Sequence, residues 1–217
     1  MPSNIIGNVE GARQAIREHL IRSSETTSAA ADQCLVAIVG IAEVLISCFR
    51  SDKKVLICGN GGSAADSQHM AAELVNRLSG ENERPPLPAL ALTTDTSFLT
   101  SYANDIGYDG VFERQVLAFG NPGDVLIGIS TSGNSKNVIR AITAARGRGL
   151  TTVGLLGEGG ALSSLVDHPL IVPSRDTQHV QESLLTIEHA ICLTVERELF
   201  GFDKADNLKS DQVEAEQ

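Results

Sequence analysis

Residues 53–77 read KKVLICGNGGSAADSQHMAAELVNR, and the three parts of this stretch set the fold. Val55–Cys58 is a short, uninterrupted apolar run, the pattern of a strand covered on both faces of a parallel sheet. Gly59, Gly61 and Gly62 follow at once, and from Ser63 onward the spacing turns helical. A strand feeding a glycine-rich turn and then a helix is the opening of a β-α-β unit. Working outward, the runs Ala89–Leu92, Val125–Ile129, Thr152–Leu155 and Leu170–Val172 predict four more strands of the same kind. Helices are expected near 63–78, 109–118, 135–147 and 161–166, with a long one near 177–200. Gly123 and Gly149 punctuate the turns that precede strands. This rhythm predicts an α/β fold, a doubly wound parallel five-stranded sheet flanked by helices.

Ahead of the sheet, the first 50 residues read as an N-terminal helical extension of two helices, roughly 8–22 and 28–50. The second carries Leu35, Ile38, Val39, Ile41, Val44, Leu45 and Ile46 on more than one face, so it must be buried on several sides. One face is expected on the core and another on a second subunit. The chain thus divides into residues 1–50, oligomerising helices of the same unit, 51–202, the α/β domain, and 203–217, an acidic tail expected to be disordered.

Composition narrows the function. The 217 residues hold 17 Lys and Arg against 27 Asp and Glu, a net charge of −10, without the basic footprint of nucleic-acid binding. The four cysteines, Cys34, Cys48, Cys58 and Cys192, form no C-x-x-C pair and read as reduced thiols. No signal peptide is visible at the N-terminus, and the most apolar stretch, Cys34–Phe49, is short for a membrane span and contains Glu43. A cytoplasmic protein without membrane or nucleic-acid partners is expected.

In open parallel sheets, ligands collect at the carboxyl ends of the strands. The loop Cys58–Asp66 brings glycines and a new helix N-terminus there, a place for an anion. Its Gly59-x-Gly61-x-x-Ala64 spacing meets the loose dinucleotide fingerprint. The acidic residue that fingerprint needs about 20 residues on is missing, since Asp95 lies well beyond it, and no Gly-Lys-Ser/Thr marks a Walker loop. A second loop places Ser130, Thr131, Ser132 and Ser135 around Gly133 before another helix. One hydroxyl there would be an ordinary cap; four point to a phosphate held by neutral donors. His69 and Glu73, at i and i+4, share a helix face and could chelate one metal, although such pairs are also common surface contacts. Gln181 and His189 lie eight apart on the last helix, a rise of about 12 Å, so spacing alone does not pair them. His19, His168 and His179 show no partner and are read as structural or exposed.

CGNGGSAADSQHMAAELVNR (58–77), ANDIGYDGVFERQV (103–116), ISTSGNS (129–135) and PSRDTQHVQESLLTIEHAI (173–191), in this order and spacing, resemble the phosphoheptose isomerase family of sugar isomerase (SIS) domains. The resemblance spans about residues 8–200 and implies conversion of sedoheptulose 7-phosphate to D-glycero-D-manno-heptose 7-phosphate, the entry to ADP- or GDP-heptose. It implies Glu73 and His189 as acid–base catalysts, and one zinc per subunit on His69, Glu73, Gln181 and His189. It further implies substrate contacts at Asn60, Gly61, Gly62, Ser63, Asn104, Asp105, Ser130, Thr131, Ser132, Ser135 and Gln181. A homotetramer with sites at subunit interfaces is also implied. The chain departs from the family pattern at Leu184, where members commonly carry a second histidine, and at Gln178 and His179. Two other functions compete: isomerisation of another sugar phosphate, and a non-catalytic tetrameric adaptor of the kind that binds the replication initiator DnaA. Retention of Glu73 and His189 weighs against the adaptor.

Overall fold

Five parallel strands, β1 (Val55–Gly59), β2 (Ala89–Ala91), β3 (Val125–Ser130), β4 (Thr151–Gly157) and β5 (His168–Val172), pair in the order β2-β1-β3-β4-β5. The computed structural model describes residues 6–80 and 82–201; the tail 203–217 lies outside them. Register sets Ile57 beside Ile127, and Ile127 beside Val153. The two-residue period of a strand sends Val55 and Ile57 into one apolar cluster, and Leu56 and Cys58 into another on the opposite face. That is why these runs are apolar without alternation. The chain leaves β1 for β2 and returns across it to β3, so the β1 and β3 loops diverge at a topological switch point.

Seven helices occur among the described residues: α1 (Val9–Gln33), which packs on α7, α2 (Leu35–Arg50), α3 (Gly62–Val75), α4 (Thr96–Asp105), α5 (Val111–Phe119), α6 (Lys136–Gly147) and α7 (Thr177–Phe200). Helices α2, α3 and α7 pack on one face, and α4, α5 and α6 on the other. Ile41, Ala42, Leu45, Ile46, Cys48 and Phe49 of α2 join the same cluster as Val55 and Ile127. Each large side chain so buried stabilises by about 1.5–3 kcal/mol. Helix α2 is therefore part of the α/β core. Its opposite side stays open, with Val36 86% exposed and Leu35 59%. No single helix among the described residues is long and apolar enough to cross a membrane.

The N-terminal helices divide differently from expectation. The break falls at Cys34, with a 71° bend, rather than between 22 and 28. The polar stretch from Ser23 to Thr27 stays helical, with Ser24 and Thr26 donating their hydroxyls back to the carbonyls of Ile21 and Arg22 instead of opening a turn. Cys34 instead donates its thiol to the Ile171 carbonyl of β5, 3.2 Å away, which ties the bend to the sheet. Helix α4 was not anticipated, although Asp95 caps it by accepting from the Phe98 amide at 2.9 Å. The segment expected as a helix at 161–166 is a short 3-10 turn, Ala161–Ser164.

At the amino ends of the central strands, buried Asp124 accepts from the Lys54 ammonium at 2.5 Å, and from the amides of Lys54 and Asn121 at 3.1 and 2.8 Å. Burial by itself would raise its pKa, but these donors outweigh burial and hold the carboxyl below its usual range. A folded pKa below the unfolded one gives stability that is present above about pH 4 and lost as pH falls through the folded value. Asp124→Asn is accordingly expected to flatten the acid limb of urea-measured stability below about pH 4, while lowering stability at pH 7.

Candidate active site at the strand ends

The β1 loop turns through Gly61, whose φ of +56° is a conformation that suits glycine, and delivers Gly62 as the first residue of α3. A Cβ at Gly62 would overlap the Gln181 amide, so the absence of a side chain lets α7 approach the start of α3. The β3 loop runs Ser130–Ser135 into α6. Here the Ser130 and Ser135 hydroxyls meet at 3.0 Å, and the Asn134 amide donates to Ser132 Oγ at 3.3 Å. Asn60 and Asn137 join the two loops through a reciprocal pair of amide hydrogen bonds, 2.9 and 2.8 Å. Asn137, buried and overlooked in the sequence, is what fixes Asn60. Its only sequence signal is a polar residue at an inward-facing position of α6.

The helix termini differ in a telling way. Asn8, Asp95 and Asp176 cap α1, α4 and α7 with their side chains. No side chain caps α2, α3, α5 or α6, and of these α3 and α6 start at the switch point. In α3 the Ala64 amide bonds to the Gly61 carbonyl and in α6 the Val138 amide bonds to Asn137 Oδ1, so the first two amides of each helix are those left for an anion.

Further along, α3 and α7 lie side by side, and His69 Nε2 faces His189 Nε2 at 2.8 Å. Glu73 Oε1 is 3.6 Å from His69 Nε2. Glu73 Oε2 is buried without a hydrogen-bond partner. Two imidazole nitrogens and a carboxylate oxygen are donors of the kind zinc takes, but among the described residues of one chain these three do not close into a ligand cluster. Gln181 stands apart from this trio. Its amide donates to Asp66 Oδ1 at 3.3 Å, nearer the start of α3 than His69. One chain thus pairs His69 with His189, and Gln181 with Asp66. The 12 Å rise along α7 is accommodated by contacts at different heights on α3 rather than by one point.

Behind this site the chain buries Glu188, both of whose oxygens lack partners. Burial, reinforced by the Asp66 carboxylate, pushes its pKa up to about 8, which keeps it protonated at neutral pH. Burial also raises the Asp66 carboxyl, against lowering by the Gln181 amide and by His69. Neither carboxyl was singled out in the sequence; a lone acid in a helix gives no sign of its burial.

The remaining candidates are placed as follows. Ser63 is buried, and its carbonyl accepts from the Ser67 hydroxyl. Thr131 lies half-buried beside the β4 loop, its carbonyl close to Gly157. Asn104 and Asp105 end α4, exposed and bonded to each other at 2.8 Å. Among the described residues no hydrogen bond joins them to the α3–α7 cluster. His19 and His179, read as unpartnered, both bond to Glu182, and these three could themselves hold a metal ion. The sequence hid this group because His19 lies 160 positions before His179 along the chain.

The SIS domain profile matches residues 19–157. Phosphoheptose isomerase of Shewanella denitrificans is 46% identical over 196 residues, 88% of this chain and 99% of that protein. Phosphoheptose isomerase of Clostridium acetobutylicum is 55% identical over 170 residues, 78% of this chain and 86% of that protein. Among solved structures, phosphoheptose isomerase GmhA from Neisseria gonorrhoeae superposes with a TM-score of 0.80 at 42% identity, covering 85% of this chain and 98% of that one. The Francisella tularensis phosphoheptose isomerase gives 0.82 at 35% identity, covering 86% and 98%.

Proposed function

The chain belongs to the phosphoheptose isomerase family of SIS-domain proteins, and from this premise we propose that it converts sedoheptulose 7-phosphate to D-glycero-D-manno-heptose 7-phosphate. The observation that carries the assignment is the Glu73 carboxylate, one oxygen buried and unpartnered, beside the facing pair His69 and His189. Aldose–ketose isomerisation needs a base for a carbon-bound proton, a relay between two oxygens, and a hold on the phosphate. In this scheme Glu73 takes the proton from C1 of the ketose, giving an enediol, and returns it to C2. His189 moves the second proton between O1 and O2. His69, Glu73 and His189 would hold zinc, joined by Gln181 only if it leaves Asp66; the metal when bound would polarise the carbonyl and hydroxyl oxygens.

The phosphate is assigned to Gly61, Gly62, Ser63, Ser130, Thr131, Ser132 and Ser135, with Asn60 fixed by Asn137. The open amides of α3 and α6 supply the positive field that an acidic chain lacks elsewhere. Asn104 and Asp105, remote from α3 and α7 by hydrogen bonding within one chain, are assigned to the sugar hydroxyls of a site completed by a neighbouring subunit. A homotetramer accords with the exposed apolar residues of the first helices, Ile16, Leu20, Leu35, Val36 and Val39. The four cysteines are buried and free. Burial, its largest cause in both, pushes Cys58 up to about 12 and Cys48 to about 11. Such inert thiols accord with a cytoplasmic setting.

The test is incubation with sedoheptulose 7-phosphate in deuterated water: the aldose is expected, labelled at C2. Ser130→Ala with Ser132→Ala and Ser135→Ala is expected to raise KM at least tenfold, whereas Lys136→Ala changes it little. A greater loss from Lys136→Ala would replace the neutral cradle with a cationic one. No turnover by the zinc-loaded chain would favour the adaptor function.

A further inference from the structure

Where α1 crosses α7, a polar seam replaces the usual apolar packing. His19, Ser23 and Thr27 recur every four residues and so share one face of α1. His19 Nε2 lies 3.2 Å from Glu182 Oε1, the Ser23 hydroxyl bonds to the same carboxylate, and Thr27 Oγ1 meets Ser183 Oγ at 3.0 Å. His179, one turn before Glu182, brings its Nδ1 to 3.3 Å from Glu182 Oε2. The two imidazoles are 4.7 Å apart between ring centroids, and one ligand atom from each of the three side chains lies within 4.8 Å of the others.

We propose that His19, His179 and Glu182 form a second metal site, for zinc or a similar borderline divalent cation, that clasps α1 to α7. Three features carry it. The donors are two imidazole nitrogens and a carboxylate, a set that leaves a fourth position for water. His179 is buried, and its other nitrogen, Nε2, faces Asp176 Oδ2 at 3.9 Å. At that distance the carboxylate is not hydrogen-bonded, but its charge favours the tautomer that leaves Nδ1 for a metal. Asp176 is in turn held by the amides of Gln178 and His179, so this support is built into the start of α7. Finally, two imidazoles share one carboxylate, each taking a different oxygen. One divalent ion placed between them can take a lone pair from each ring. The site is separate from the candidate active site: Glu182 and His189 are seven residues apart on α7, about 10 Å along its axis. It does not depend on the isomerase assignment.

The test uses the full chain, stripped with a chelator and titrated with zinc against a chromophoric competitor. The wild type is expected to bind about two ions per chain. His19→Ala and Glu182→Gln should each lose one, His189→Asn should lose the other, and His19→Ala with His189→Asn should bind none. Asp176→Asn, which removes the charge behind His179 while keeping a residue able to cap α7, should weaken the second site by up to about 10-fold. Zinc should also raise the unfolding temperature of the His189→Asn chain by several degrees, and His19→Ala should abolish that rise. Circular dichroism would confirm that each variant is folded. His19→Ala should retain isomerase turnover, which separates failure of this site from failure of the active site. A folded His19→Ala chain that binds as much zinc as the wild type, and as tightly, would overturn the proposal and leave a hydrogen-bonded cluster only.

Discussion

Glu73→Gln is expected to lower turnover of sedoheptulose 7-phosphate by about 10²–10⁴-fold, with label exchange at C2 falling in parallel. The substitution keeps the side chain's size and its place on α3 but removes the base. The amide cannot accept the C1 proton at neutral pH, and no other carboxylate stands in for it. Asp66 is engaged with Gln181, and Glu188 lies buried with its pKa raised by that burial. Weaker zinc retention would add to the loss, because Glu73 Oε1 lies beside His69. The fold should be unaffected, since Glu73 Oε2 makes no hydrogen bond that the structure needs. Thermal unfolding near the wild-type temperature, together with normal exchange and turnover, would exclude Glu73 as the base.

The second large effect concerns stability. Arg84 and Glu196 form an ion pair at 2.6 Å, with each side chain only 1% exposed. Arg84 also donates to the carbonyls of Glu73 and Leu74 at 2.7 and 2.9 Å, closing the end of α3, and Glu196 accepts from the Leu78 amide at 2.9 Å. Arg84→Met keeps most of the volume but leaves a buried carboxylate uncompensated. The expected loss is about 3–5 kcal/mol, read as a shift in denaturant midpoint. Arg84→Met combined with Glu196→Leu should recover much of it, because both charges then go together. A loss in the double variant equal to the sum of the two single losses would show that the residues act independently. Because Arg84 holds the Glu73 carbonyl, surviving Arg84→Met protein is also expected to show a lower kcat.

The strands were legible from their apolar runs because a parallel strand covered on both faces needs no alternation, and few other segments have that composition. Helix α4 was not legible. Its start is marked by Asp95, but it buries no residue completely, so its apolar pattern is faint. The N-terminal break was misplaced because hydroxyl side chains in 23–27 suggest a turn, while in the fold they bond back into α1.

By itself, the sequence determined the class of fold, the two strand-end loops and the i, i+4 pair His69–Glu73, all properties of short windows governed by strand and helix periodicity. It also determined the family, through four segments in order. Tertiary packing alone settles which distant residues meet. His69 faces His189 across 120 positions, Asn60 pairs with Asn137 across 77, and His19 reaches Glu182 across 163. It also separated Gln181 from that imidazole pair and left Glu188 in the apolar interior. The reason is geometric: periodicity fixes the face of an element a residue occupies. Which face of which other element lies opposite depends on how the sheet orders its strands and how the helices pack over it.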